Sequence, residues 1–213
     1  MKRRQLIKNL GLGGVALVAT PTVLSLLQSC KSEPVFETVF VNQQQGRALR
    51  HIVDLIIPSD ESVPGAIDVG VHNFIDMYWN DVLEEEDKPQ IKLGFDALAN
   101  RLEDLTGKTF ENANAEDFDQ VLAKYLMATP EQAAAYEKNL GSFYQTYAKD
   151  KSTIPDPDAA SFSLLGNLRG MTLWAWKTSE EIGENVLAYD PIPGQQIGCL
   201  PVQGATGGKA YSL

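Results

Sequence analysis

The sequence predicts an all-α protein: a single helical bundle of about six helices that ends in an irregular segment rich in glycine and proline. Three observations predict it. Apolar residues recur at three- and four-residue spacings, no run of alternating β-branched residues appears, and Gly, Pro and capping residues punctuate the periodic stretches. With a leader of 29 residues set aside from the 213, the chain has the length of one domain.

The leader comes first. Met1 to Lys8 reads MKRRQLIK, a Gly-containing apolar stretch runs from Leu10 to Leu27, and Leu27-Gln28-Ser29-Cys30 closes it. A basic start, an apolar middle and a small residue at the cut site are the parts of a secretory signal. Adjacent Arg3 and Arg4 point to the twin-arginine route, which moves folded proteins; the same basic start also serves general export. Leu27 at −3 and Ser29 at −1 mark Cys30 as a lipid-attachment residue and new N-terminus, although Gln28 at −2 is less usual. Gly11, Gly13, Gly14 and Pro21 interrupt the stretch and argue against a span that stays in the membrane, which needs ~20 continuous apolar residues. The expected organisation is a signal peptide over 1–29, a lipidated tether over 30–42 and a helical domain over 43–213. The expected location is outside the cytoplasm, in the periplasm or on the outer face of a membrane.

Within the helical domain, Leu49, Ile52, Val53 and Ile56 form the first stripe, which Pro58 should end. A loop with Pro58, Pro64 and Gly65 follows. The second helix places Val71, Phe74, Ile75, Tyr78 and Val82 on one face. The third has the cleanest period, Ile91, Phe95, Leu98, Leu102 and Leu105, and Gly107 stops it. The fourth turns Phe118, Val121, Leu122, Tyr125 and Leu126 inward behind Asn114 as a cap. Thr129, Pro130 and Gln132 give the fifth the best start signal, an N-cap, a proline at the first helical position and a capping-box partner. Its inward residues should be Tyr136, Leu140, Phe143, Tyr144 and Tyr147. The sixth helix starts near Asp158 and carries Phe162, Leu165, Leu168, Met171 and Trp174; the last ~30 residues have no period.

Charge narrows the function. The leader holds Lys2, Arg3, Arg4 and Lys8 and no acidic residue, so its removal takes the formal charge from −10 to −14. A surface of that sign repels nucleic acid, which is excluded as a partner. With Cys30 committed to lipid, Cys199 is left alone, either as a buried apolar residue or as a thiol that pairs with another chain. No haem, iron–sulfur, zinc or dinucleotide motif is present, and Gly-x-Ser-x-Gly is missing. GATGGK at 204–209 faintly resembles a phosphate loop, but Gln203 and Ala210 stand where it needs Gly and Ser or Thr. His51 beside Asp54 and His72 beside Asp76 have the spacing of two ligands on one helical face, against the plainer reading of solvated or interface histidines. Glu84-Glu85-Glu86-Asp87 reads as a solvated helix end, because adjacent carboxylates point in different directions. Trp174 and Trp176, two apart, cannot share one core face; one of them is a candidate anchor for a partner.

The segments IVDLIIPSDESVPGAIDVGVHNFID (Ile52 to Asp76) and KTSEEIGENVLAYDPIPG (Lys177 to Gly194) resemble the small subunit of gluconate 2-dehydrogenase, subunit 3. Between Asn80 and Pro157 the likeness is only in helices of suitable length. The resemblance implies a non-catalytic companion with no cofactor of its own. Its partner would be a glucose–methanol–choline-type (GMC-type) flavoprotein that carries FAD, oxidises a sugar or sugar acid and passes electrons on, often to a cytochrome c. Such a companion would act as export escort and, through Cys30, as membrane anchor. The candidate contact residues are Trp174, Trp176 and the tail residues Tyr189, Asp190, Pro191, Ile192 and Pro193, with the alternative that the tail covers the bundle's own core. A freestanding lipoprotein that binds a small molecule or scaffolds an envelope complex is the other reading; an independent enzyme would need a metal near His51 and His72.

Overall fold

A computed structural model of the chain describes residues 36–192, 194 and 198–212. Arg3, Arg4, Cys30 and Pro193, with the leader and most of the tether, lie outside the described residues. The chain divides between Phe36 and Glu37, and the bundle belongs to the second part. Among the described residues it holds six long α-helices, then a short π-helix and a one-turn α-helix. There is no strand among them, only an isolated parallel bridge between Ala188 and Tyr211. The all-α expectation holds.

Helix α1 spans Gln43–Ile56 and starts on a capping box. The Asn42 side chain accepts the Gln45 amide at 2.9 Å, and the Gln45 side chain accepts the Asn42 amide at 3.2 Å. Its buried stripe is Ala48, Leu49, Ile52 and Val53. Pro58 follows its end and opens a tightly built loop. A Cβ on Gly65 would lie 2.4 Å from the Ser59 nitrogen, so only glycine fits there. Asp60 accepts the Ser62 and Val63 amides at 2.6 and 2.8 Å, while Asp68 accepts the Gly65 amide at 2.9 Å and the Ser59 hydroxyl.

Helix α2, Val71–Asp81, is turned relative to the expected face. Its buried residues are Val71, His72, Ile75, Asp76 and Trp79, whereas Phe74 and Val82 are 40% and 58% exposed. Two causes are visible. Trp79 carries more apolar surface than either displaced residue and packs edge-on against Phe95 of the next helix, with ring centroids 5.9 Å apart. Asp76 can go inside because three backbone amides of the chain before α1 hydrogen-bond to it. The described end of the expected tether, Val39 to Val41, is thereby fixed to the bundle.

Helix α3, Lys88–Thr106, buries Phe95, Leu98 and Leu102 and ends at Gly107, whose φ is +70°. Leu105 is exposed and Ile91 half-buried, since the helix runs past the core at both ends. Helices α4 (Ala115–Leu126) and α5 (Pro130–Tyr147) both begin on capping boxes, Asn114 with Asp117 and Thr129 with Gln132. On α5 only Phe143 and Tyr147 are buried, fewer than the five expected. This helix packs chiefly on α6, and Leu140 and Tyr144 line a cleft of about 290 Å³ opposite Ile91 and Leu164.

Helix α6, Pro157–Thr178, is the centre of the bundle and packs against all five preceding helices. Burial on several sides explains why it lacks one clean stripe: Leu164, Leu165, Leu168, Thr172 and Ala175 are inside, while Met171 is half-buried and Trp174 faces out. Gly94 lets α3 approach closely, since a Cβ there would stand 3.1 Å from that of Leu164. After α6 the π-helix Glu181–Val186 sets Ile182 into the core. The short helix α7 is Val202–Thr206. Ala188 donates to Ala210 at 2.9 Å and accepts from Ser212 at 3.0 Å, closing the segment between them into a loop. The last ~30 residues therefore hold more order than the sequence reading gave them. No helix among the described residues is long and apolar enough to cross a membrane.

Candidate partner-binding surface

Because α2 is turned, Phe74 is exposed and Tyr78 only half-buried, although both were expected in the core. Phe74 and Tyr78, one turn apart, meet Trp174 of α6. The Trp174 ring lies 5.3 Å from Phe74 and 5.8 Å from Tyr78, both edge-on, and Phe74 lies 6.0 Å from Tyr78. Edge-on packing holds the three rings in fixed orientations. Trp174 nevertheless leaves 47% of its surface to solvent, and Met77 and Leu173, next in sequence, are exposed as well. Large side chains held in place and left wet are what protein interfaces use as anchors.

The two tryptophans part as the helix period requires. Trp176 is half-buried and its indole Nε1 donates to the Pro64 carbonyl at 2.9 Å, tying α6 to the loop before α2. It serves the fold, and Trp174 is the outward one. Tyr189, Asp190, Pro191 and Ile192 are all exposed, Ile192 at 84%. Cys199 is exposed with a free thiol, which removes its reading as a buried apolar residue.

The two histidines sit in different surroundings. His51 stacks on Phe118 with ring centroids 5.2 Å apart and an interplanar angle of 19°. His72 is buried, and burial, helped by the positive charge of Arg50, lowers its pKa to about 4. Asp76 is 1% exposed and accepts the amides of Val39, Phe40 and Val41 at 2.6, 3.1 and 2.9 Å. Its carboxylate is taken. Among the described residues no three His, Cys, Asp or Glu side chains gather as a metal site would need. Glu84 to Asp87 sit exposed in the turn before α3, where Glu85 pairs with Lys88.

A polar junction joins three helices at the other end of α6. Asp158, in the first turn of α6, accepts the Tyr125 hydroxyl at 2.6 Å and the Lys124 ammonium at 2.7 Å, with the Arg101 guanidinium 3.7 Å away. Burial alone would raise the Asp158 pKa; the hydrogen bonds from Lys124 and Tyr125 and the charges of Lys124 and Arg101 outweigh it and hold the carboxyl below its ordinary value. Burial, with the Asp158 hydrogen bond and charge, pushes the Tyr125 hydroxyl far above its own.

The model of the gluconate 2-dehydrogenase subunit 3 family matches residues 43–194, and the chain belongs to that family. The match takes in α1 to α6, the π-helix and the start of the tail, including the stretch between Asn80 and Pro157 whose likeness was only in helix lengths. No curated protein and no solved structure matches the chain.

The spacing of Trp174 and Trp176 marks one of them as a candidate without choosing between them, and the apolar period of α2 places Phe74 and Tyr78 in the core. The signal was present. Trp79 belongs to the same helix, and placing it inside turns Phe74 outward and Tyr78 to the edge of the core, because residues five and one positions away fall on other faces of a helix.

Proposed function

We propose that this chain is the small, non-catalytic subunit of a membrane-associated dehydrogenase, serving as export escort and anchor for a GMC-type flavoprotein. FAD belongs to that partner, which oxidises a sugar or sugar acid and hands electrons on, in this family often to a cytochrome c. What carries the reading is the Phe74–Tyr78–Trp174 cluster on a chain of this family. The cluster supplies a rigid aromatic anchor of the kind that dominates binding energy. The tail from Tyr189 to Pro193 adds a second contact, since its prolines reduce the entropy lost when an extended segment docks.

The leader supports the export half of the reading. Arg3 and Arg4 mark it for transport of folded cargo, which suits a partner that folds around FAD before crossing. Lipid on Cys30 then holds the assembly outside the cytoplasm at a membrane. Each buried CH₂ contributes ~0.8 kcal/mol, so more than one acyl chain gives durable attachment. Replacing Cys30 with Ala is expected to move the protein from the membrane fraction to the soluble extracytoplasmic fraction. Retention on the membrane would contradict the anchor. The escort is tested by capturing the full chain from its own cells: an accompanying protein with flavin absorbance supports it, and a chain that emerges alone rejects it.

A further inference from the structure

The chain reaches α1 across a strap whose attachment is concentrated on one side chain. Val39, Phe40 and Val41 point three successive amides at the carboxylate of Asp76, at 2.6, 3.1 and 2.9 Å. Asp76 is 1% exposed; its bond from Val41 is buried and those from Val39 and Phe40 are part-buried, and a carboxylate acceptor makes such bonds stronger than a neutral one. Around them the strap contributes modest packing. The Phe40 ring lies 5.9 Å from Trp79, Lys92 of α3 sits 5.4 Å over the Phe40 ring, and Val41 is buried, but Val39 is mostly exposed. Asp76 lies on α2, more than thirty residues further along the chain, so its site is absent until α2 has folded against the bundle.

We propose that the strap and Asp76 form a latch, a contact that closes only on a folded α2 and makes the chain ahead of α1 part of the folded body. The carboxylate decides between two states. Closed, the strap covers Asp76 and one side of Trp79, and the Thr38 hydroxyl accepts the Gln43 side chain of α1 at 3.3 Å. Open, residues 37–41 join the leader side of the chain while the six helices stay packed. For a protein exported in the folded state, a closed latch reports to the leader that α2 is in place; this consequence rests on the export reading above, whereas the latch does not.

Hydrogen exchange on the full chain tests the latch. Asp76→Asn keeps the size of the side chain, removes its charge and presents an amide group to three amide donors. We expect the protection of the Val39, Phe40 and Val41 amides to fall at least tenfold, with that of α3 and α6 changed less than twofold. Chymotryptic cleavage after Phe40 should accelerate by a similar factor. Unchanged strap protection, or strap protection lost only in step with the helices, would overturn the latch.

Val39→Pro removes one donor at an exposed side chain and guards against an Asp76 variant that fails to fold. It should weaken protection at Phe40 and Val41 with the helices intact, and wild-type protection there would again overturn the proposal. Export is read separately in cells. An Asp76→Asn chain with an open strap should leave the cytoplasm at least threefold more slowly than wild type, and equal rates overturn the reporting role. Failure of the export reading shows differently, as a wild-type chain that never leaves the cytoplasm.

Discussion

Asp158 shows how much one carboxylate can hold in a bundle of this size, since it joins α6 to Tyr125 and Lys124 of α4 and to Arg101 of α3. Asp158→Ala would leave the part-buried Tyr125 hydroxyl without this acceptor and Lys124 without its close partner, at a cost of about 2–3 kcal/mol. Urea denaturation should show that loss, with Tyr125→Phe losing about 1 kcal/mol. A second residue-scale expectation concerns pH. His72 has a folded pKa near 4 against about 6.5 unfolded. Its contribution is complete above pH 6.5 and is lost as pH falls toward 4, because the unfolded chain takes up the proton first. His72→Asn should therefore flatten the stability profile between pH 7 and 5. A profile with the same slope in the variant would refute the assignment. Single residues were legible where the rule is local. Asn114 and Thr129 cap as their spacing to Asp117 and Gln132 says, and Asn42 with Gln45 repeats the pattern at α1, where it was not read.

At the scale of elements, all six long helices were legible and two of their faces were not. Helix α1 has one neighbour-facing stripe, and Leu49, Ile52 and Val53 fill it. On α2 two stripes compete, and the sequence alone does not show that the inner one contains an aspartate. Only the chain ahead of α1 makes that burial favourable, through amides that no spacing rule connects to Asp76. Helix α5 failed differently. Its apolar spacing is real, but a peripheral helix packed chiefly on α6 has too little surface opposite it to bury five large residues. The tail was read as irregular because a one-turn helix and a two-residue bridge leave no period. Among the described residues of that segment, Tyr189, Ile192, Leu200 and Val202 are exposed and none is buried in the core. Deleting Asp190 to Leu213 should therefore leave helicity and cooperative melting in place while weakening one-to-one assembly with the flavoprotein. Full assembly by the truncated chain would remove the tail from the interface.

For the whole molecule, the fold and the family agree on a helical bundle within the matched residues 43–194, and the proposed function rests on the Phe74–Tyr78–Trp174 cluster that this bundle carries. The family was legible from two short stretches, Ile52 to Asp76 and Lys177 to Gly194. The structure brings them together where the Trp176 indole, just ahead of the second stretch, donates to the Pro64 carbonyl of the first. The cluster itself was only one-third legible, because its other two rings depend on how α2 rotates in the folded chain. The most direct measurement is capture of the full chain and of its Trp174→Asp variant from the same cells, reading flavin absorbance per chain and checking both by circular dichroism. The account predicts a flavoprotein at one per wild-type chain and its loss from a folded variant, as a deleted anchor worth at least about 2 kcal/mol, roughly thirtyfold in Kd, requires. A wild-type chain that brings no flavin, or a variant that keeps its full share, would contradict it.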